Sequence, residues 1–159
     1  MSLIFGPRVT GKDVFIWAIL AGVIGEIYLE AVAWGLYPRI LGVPMRPHIL
    51  VMDLSRNVLS YELNEAIAFA IHLFIGVVLF PWTYLFARYR LGIGPGWLVA
   101  AMLGVGYWLI AQSTLAPLVG RPAFLGFIKY TWGSLFAHTS MLLVIAFAFE
   151  KLSGGPTRR

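Results

Sequence analysis

The sequence contains no cysteine, and only 12% of its 159 residues are charged. Without cysteine there is no structural disulfide, no thiolate-held zinc or iron–sulfur site, no c-type haem attachment and no thiol nucleophile. Soluble domains carry about 25% charged residues, so the shortage of charge excludes an ordinary water-exposed surface. Catalytic signatures are missing too. There is no Gly-rich phosphate loop, no G-x-S-x-G elbow and no H-E-x-x-H pair. The excess of 12 basic over 7 acidic residues is spread through short loops and the chain ends, without a basic stripe. That distribution argues against nucleic acid as a partner.

What remains is apolar. Hydrophobic residues make up 60% of the chain and aromatics 15%, and the mean hydropathy is +0.83. These values describe an integral membrane protein. Four apolar segments, about 14–37, 63–86, 97–118 and 124–149, have the roughly 20 residues needed to cross about 30 Å of hydrocarbon. Short, breaker-rich connections such as Arg88 to Gly96 and Val119 to Ala123 suit helical hairpins. The expected fold is all-α, a single-domain four-helix membrane bundle over 1–159, with a flexible tail at 153–159. Pro81 should kink the second span and deprive the Val77 carbonyl of its donor. Gly22, Gly25, Ala66, Ala70, Gly76 and Gly104 are the small positions at which helices should approach.

The first span is read as a retained helix rather than a secretion signal, because Glu26 and Glu30 interrupt the region before Ala31-Val-Ala33 and the apolar stretch is too long. One connection, 38–62, is long. Its second half, 49–60, has apolar residues at 50, 51, 54 and 58, the spacing of an amphipathic helix on the membrane surface. His48, just before it, reads as a solvated loop histidine. Seven basic residues (Arg8, Lys12, Arg88, Arg90, Lys151, Arg158, Arg159) fall on one side and five (Arg39, Arg46, Arg56, Arg121, Lys129) on the other. The positive-inside rule then places both termini in the cytoplasm of a bacterial inner membrane, with 38–62 outside.

Polar side chains at membrane depth call for an explanation. Glu26, Glu30, Gln112, Ser113 and Thr114 fall in the outer half of their spans, with His72 there and His138 nearer the middle. Lipid cannot satisfy them, so they should line a polar pocket that opens outward. His72 and His138 on two different helices are spaced to serve as axial ligands of haem b, and a quinone is the other cofactor the residues would serve. The sequence does not choose between the two. A metal site of Glu26, Glu30 and His72 ranks lower, because the Glu-x-x-His pairs of carboxylate-bridged dimetal bundles are absent. A structural reading accounts for these residues without any cofactor: Glu26 or Glu30 pairs with Arg39, Arg121 or Lys129, while His72 and His138 donate to hydroxyls and carbonyls between helices.

The functional expectation is an accessory or assembly subunit of a larger inner-membrane complex, respiratory or electron-transferring, without catalysis of its own. Its partners would be lipid and other membrane subunits. A haem- or quinone-binding protein using His72 and His138 is the alternative, and a small oligomeric transporter with an outward acidic pocket comes third.

Overall fold

The structure is a computed structural model that describes residues 10–42 and 44–154. Arg8, Arg158 and Arg159 of the charge reading, and the tail from 155, lie outside the described residues. Four helices are long and apolar enough to span a membrane: α1 Gly11–Leu41, α3 Glu65–Arg90, α4 Gly96–Leu118 and α5 Lys129–Ser153. Between the first two lies α2, His48–Leu59. The chain is a multi-pass membrane protein, and its apolar outer surface contacts lipid.

Local signals set the helix ends. Thr10 and Asp13 form a reciprocal capping box at the start of α1, and the Asn64 side chain accepts from the Ile67 amide at 2.8 Å to begin α3. Gly42 and Gly154 close α1 and α5 with positive φ, where a side chain would be strained. The last span begins at Lys129, later than the apolar run suggests. Phe124 to Phe127 instead form a left-handed turn with φ of 50–67°, tied down by Thr131 Oγ1 donating to the Phe124 carbonyl at 2.6 Å.

Three spans contain proline and continue through it. Proline brings no N–H, and its ring presses on the carbonyl four residues back. A widened π turn precedes each one: Ala31–Leu36 before Pro38, Ile75–Leu79 before Pro81 and Ala111–Leu115 before Pro117. Each ends two residues ahead of its proline. The i→i+5 bonding admits one extra residue and gives the ring its space. At Pro81, where a kink is expected, the helix changes type over Ile75–Leu79 and continues. Gly22 of α1 lies against the same place, since a Cβ there would fall on the Val77 carbonyl oxygen and 2.7 Å from the Val77 Cα.

The fourth span, α5, has no proline and is regular throughout. It is the centre of the bundle, packed along α1 on one side and α4 on the other. Val14, Ala18, Ala21, Met141, Leu142, Ile145 and Phe149 are among the fully buried residues of the core. Gly104 lets α4 close on α5, its missing Cβ lying 2.6 Å from the Thr139 Cα. Ala66 and Ala70 are exposed, however, and Ala68 is the small residue buried on that part of α3.

Helix α2 lies across one end of the bundle and is fastened there by polar links. Arg121 pairs with Asp53, Asn57 Nδ2 donates to the Val119 carbonyl at 3.0 Å, and His48 Nε2 meets Glu65 Oε1 at 3.0 Å. The opposite end carries its own polar cluster, in which the buried Tyr84 donates to Glu150 at 2.8 Å and Arg88 approaches the same carboxylate at 3.8 Å.

Candidate metal centre

The residues expected to line one pocket do not come together: five fall into two clusters and two into neither. Gln112 and His138 belong to the seam between α4 and α5. There Gln112 Nε2 donates to Ser134 Oγ at 3.2 Å, and His138 Nδ1–H donates to the Ser134 carbonyl of its own helix at 2.8 Å. Trp108 Nε1 completes this seam by donating to the Thr131 carbonyl at 3.1 Å. Ser113 and Thr114 join neither cluster; both are exposed, and Ser113 Oγ donates back to the Leu109 carbonyl. No hydrogen bond connects His72 with His138 among the described residues.

Glu26, Glu30 and His72 form the second cluster, between α1 and α3. Spacing i, i+4 puts both glutamates on one face of α1. His72 Nε2 stands 3.8 Å from Glu26 Oε2 and 3.7 Å from Glu30 Oε1, beyond hydrogen-bonding distance. One donor atom from each residue lies within 4.8 Å of the other two. Glu26 is 4% exposed. Both of its carboxylate oxygens, Glu30 Oε1 and His72 Nε2 are buried and have no hydrogen-bond partner.

The surroundings hold the carboxylates in this position. Trp34, one turn beyond Glu30, donates its indole N–H to Glu30 Oε2 at 2.5 Å, which turns Oε1 toward His72. The Arg46 guanidinium covers the Trp34 ring at 5.4 Å. On the other side Gly76 makes the slot for Glu26: a Cβ at Gly76 would coincide with Glu26 Oε1 and come within 2.8 Å of Met141 Cε. The room beside His72 that Gly76 provides is thus filled by a carboxylate. The π segments of α1 and α3 begin one residue after Glu30 and three after His72, and such segments recur at functional sites.

Of the three basic residues expected to neutralise the glutamates, Lys129 is exposed at the start of α5 and the two arginines are engaged elsewhere. Arg39 donates to the Gly35 carbonyl, and Arg121 pairs with Asp53. His48 is not a solvated loop residue. It opens α2, is 2% exposed, and packs edge-on against Phe69 at 5.5 Å. Trp34, His48, Glu65 and Gly76 are the surrounding residues whose site roles sequence reasoning missed. The one available signal was Gly76 at i+4 from His72.

Two carboxylates and an imidazole make a donor set for a first-row transition metal, since imidazole suits zinc, iron, copper and nickel while carboxylate suits harder ions. A tetrahedral ion with ligands at about 2.0–2.1 Å separates neighbouring donors by roughly 3.3–3.4 Å. The two distances to His72 Nε2 are a few tenths of an ångström longer, and the three donor atoms together span up to 4.8 Å, so the glutamate side chains would have to draw in around an ion. No family model matches the chain, and no curated protein or solved structure is found to be similar to it.

Proposed function

We propose that this chain is a membrane metal-binding protein that takes a divalent first-row ion from the side on which α2 lies and holds it between Glu26, Glu30 and His72. The observation that carries this reading is the convergence of three buried, unpartnered atoms, one from each of three side chains. An unpaired buried polar atom costs about 1–3 kcal/mol, and more when charged. Two carboxylates, one neutral imidazole and one divalent ion sum to zero charge, which is what a low-dielectric interior favours. A monovalent ion would leave one negative charge uncompensated.

The other expectations have less support. A haem held by His72 and His138 would need the His72 Nε2 position that now faces the α1 carboxylates. The accessory-subunit reading has no observation of its own among the described residues. Transport across the membrane is disfavoured by the core between the cluster and the opposite end, which is built from Val14, Ala18, Leu142, Ile145, Ala146 and Phe149. We take the protein to hold its ion, with α2 on the outer side of a bacterial inner membrane as the basic residues suggest.

Equilibrium dialysis of the purified chain in detergent, against zinc and cobalt ions, tests the reading. Wild type should bind one ion per chain. Glu26→Gln, Glu30→Gln and His72→Ala should each weaken binding at least 100-fold. A wild type that binds no more tightly than the triple variant refutes it.

A further inference from the structure

Resting on that metal reading, we propose that His48 and Glu65 form an outer position that first captures the ion and passes it to the buried three. Glu65, Phe69 and His72 are spaced i, i+4, i+7 and so share one face of α3. Glu65 starts the helix with its side chain 62% exposed, whereas His72 lies about 10 Å further down the axis. His48 reaches over from α2 and meets Glu65 Oε1 at 3.0 Å. Its ring stacks edge-on to Phe69 at 5.5 Å, and the other neighbour of Phe69 is His72 at 6.4 Å. The order from the surface inward is therefore carboxylate, imidazole, phenyl ring, imidazole, carboxylates.

The chemistry of the route follows from the charge. A bare divalent ion cannot cross about 10 Å of apolar interior, because leaving water without replacement ligands costs far more than thermal energy. It needs donors on both sides of Phe69, whose ring offers a cation only its face. Glu65 supplies an exposed carboxylate that attracts cations, and His48 supplies a soft nitrogen under cover. His48 Nδ1 is buried with no hydrogen-bond partner, which leaves a nitrogen for an ion while Nε2 faces Glu65. The remaining links of α2, Asp53–Arg121 and Asn57–Val119, are completed pairs that hold the helix down. Holding the helix needs no imidazole with a spare nitrogen.

A pure fastening and a relay predict opposite kinetics. Tryptophan emission quenched by cobalt ions in a stopped-flow mixer gives the loading rate, and a chelator chase gives the release rate. For a relay, His48→Ala and Glu65→Gln slow loading and release together, each ten-fold or more, while Kd shifts less than three-fold. His48→Gln, which keeps an amide donor toward Glu65 and a similar bulk, should show the same slowing if His48→Ala folds poorly. Asp53→Asn loosens α2 elsewhere and should leave both rates within two-fold of wild type. Loading that is unchanged or faster in the His48 variants overturns the relay, as does a weakened Kd at an unchanged loading rate. A wild type that binds no cobalt overturns the metal reading itself, a result distinct from either of these.

Discussion

Gly76 and Glu26 should be coupled so strongly that one substitution changes sign with the other. An alanine at 76 would place its Cβ on the Glu26 carboxylate and 2.8 Å from Met141 Cε. Glu26 cannot step aside into water, being 4% exposed, and its remaining free directions hold Glu30 and His72. Overpacking of this kind costs about 1–3 kcal/mol, against which alanine gains up to about 1 kcal/mol over glycine inside a helix. Gly76→Ala should therefore destabilise by about 1–2 kcal/mol. In the Glu26→Ala background the carboxylate is gone and only the flexible end of Met141 must move, so the same change should be neutral or stabilise by about 0.5–1 kcal/mol. The coupling comes to about 2 kcal/mol, in the upper part of the range for residues in contact. Reversible unfolding of the four proteins in mixed detergent micelles gives each corner of the cycle. A coupling below about 0.5 kcal/mol would mean that Glu26 does not occupy the Gly76 slot.

Further outcomes are as specific. Gly22→Ala meets backbone at Val77 that cannot yield and should cost about 1–3 kcal/mol, while Gly106→Ala, with nothing within 4 Å, should be neutral; thermal unfolding in detergent compares them. Trp34→Phe removes the N–H that orients Glu30 and should weaken metal binding about 10–100-fold, read by the same dialysis. A reporter active only in the cytoplasm should give signal when fused after Arg159 and none when inserted in the 38–62 loop. The reverse pattern would invert the proposed orientation.

The four spans and the amphipathic α2 were legible because hydropathy and a 3.6-residue period suffice for them. Which face of α3 turns inward was not. Gly76 and Pro81 are both buried yet five residues apart, a spacing that a regular helix would place on different faces. The intervening π segment absorbs the extra residue, and no periodicity count anticipates it. The position of His72 and His138 along each span follows from the sequence, but not their direction around it. Direction depends on lateral fits such as Gly22 against Val77, which join residues far apart in sequence. His48 was misread for the same reason: its burial comes from the docking of α2 onto α3, not from its own neighbours Pro47 and Ile49.

The cluster runs against the usual way a membrane protein treats acidic residues. Two glutamates one turn apart repel, and a chain selected only for stability would turn them away from each other or toward a basic partner. Here the structure does the reverse. Trp34 fixes Glu30 with one oxygen inward, Gly76 clears the space that draws Glu26 into the same point, and His72 closes the third side without donating a hydrogen bond to either. Arg39 and Arg121 are used on backbone and on Asp53. Local conflict that surrounding residues maintain is where a functional site is to be looked for. The conflict disappears when a divalent ion supplies the missing charge. At a free concentration 100 times its Kd, such an ion adds about 2.7 kcal/mol to the stability of the folded chain. That gain is comparable to the penalty for one or two unsatisfied atoms, so on the proposed reading a bound ion would offset the cost of the unpartnered carboxylates.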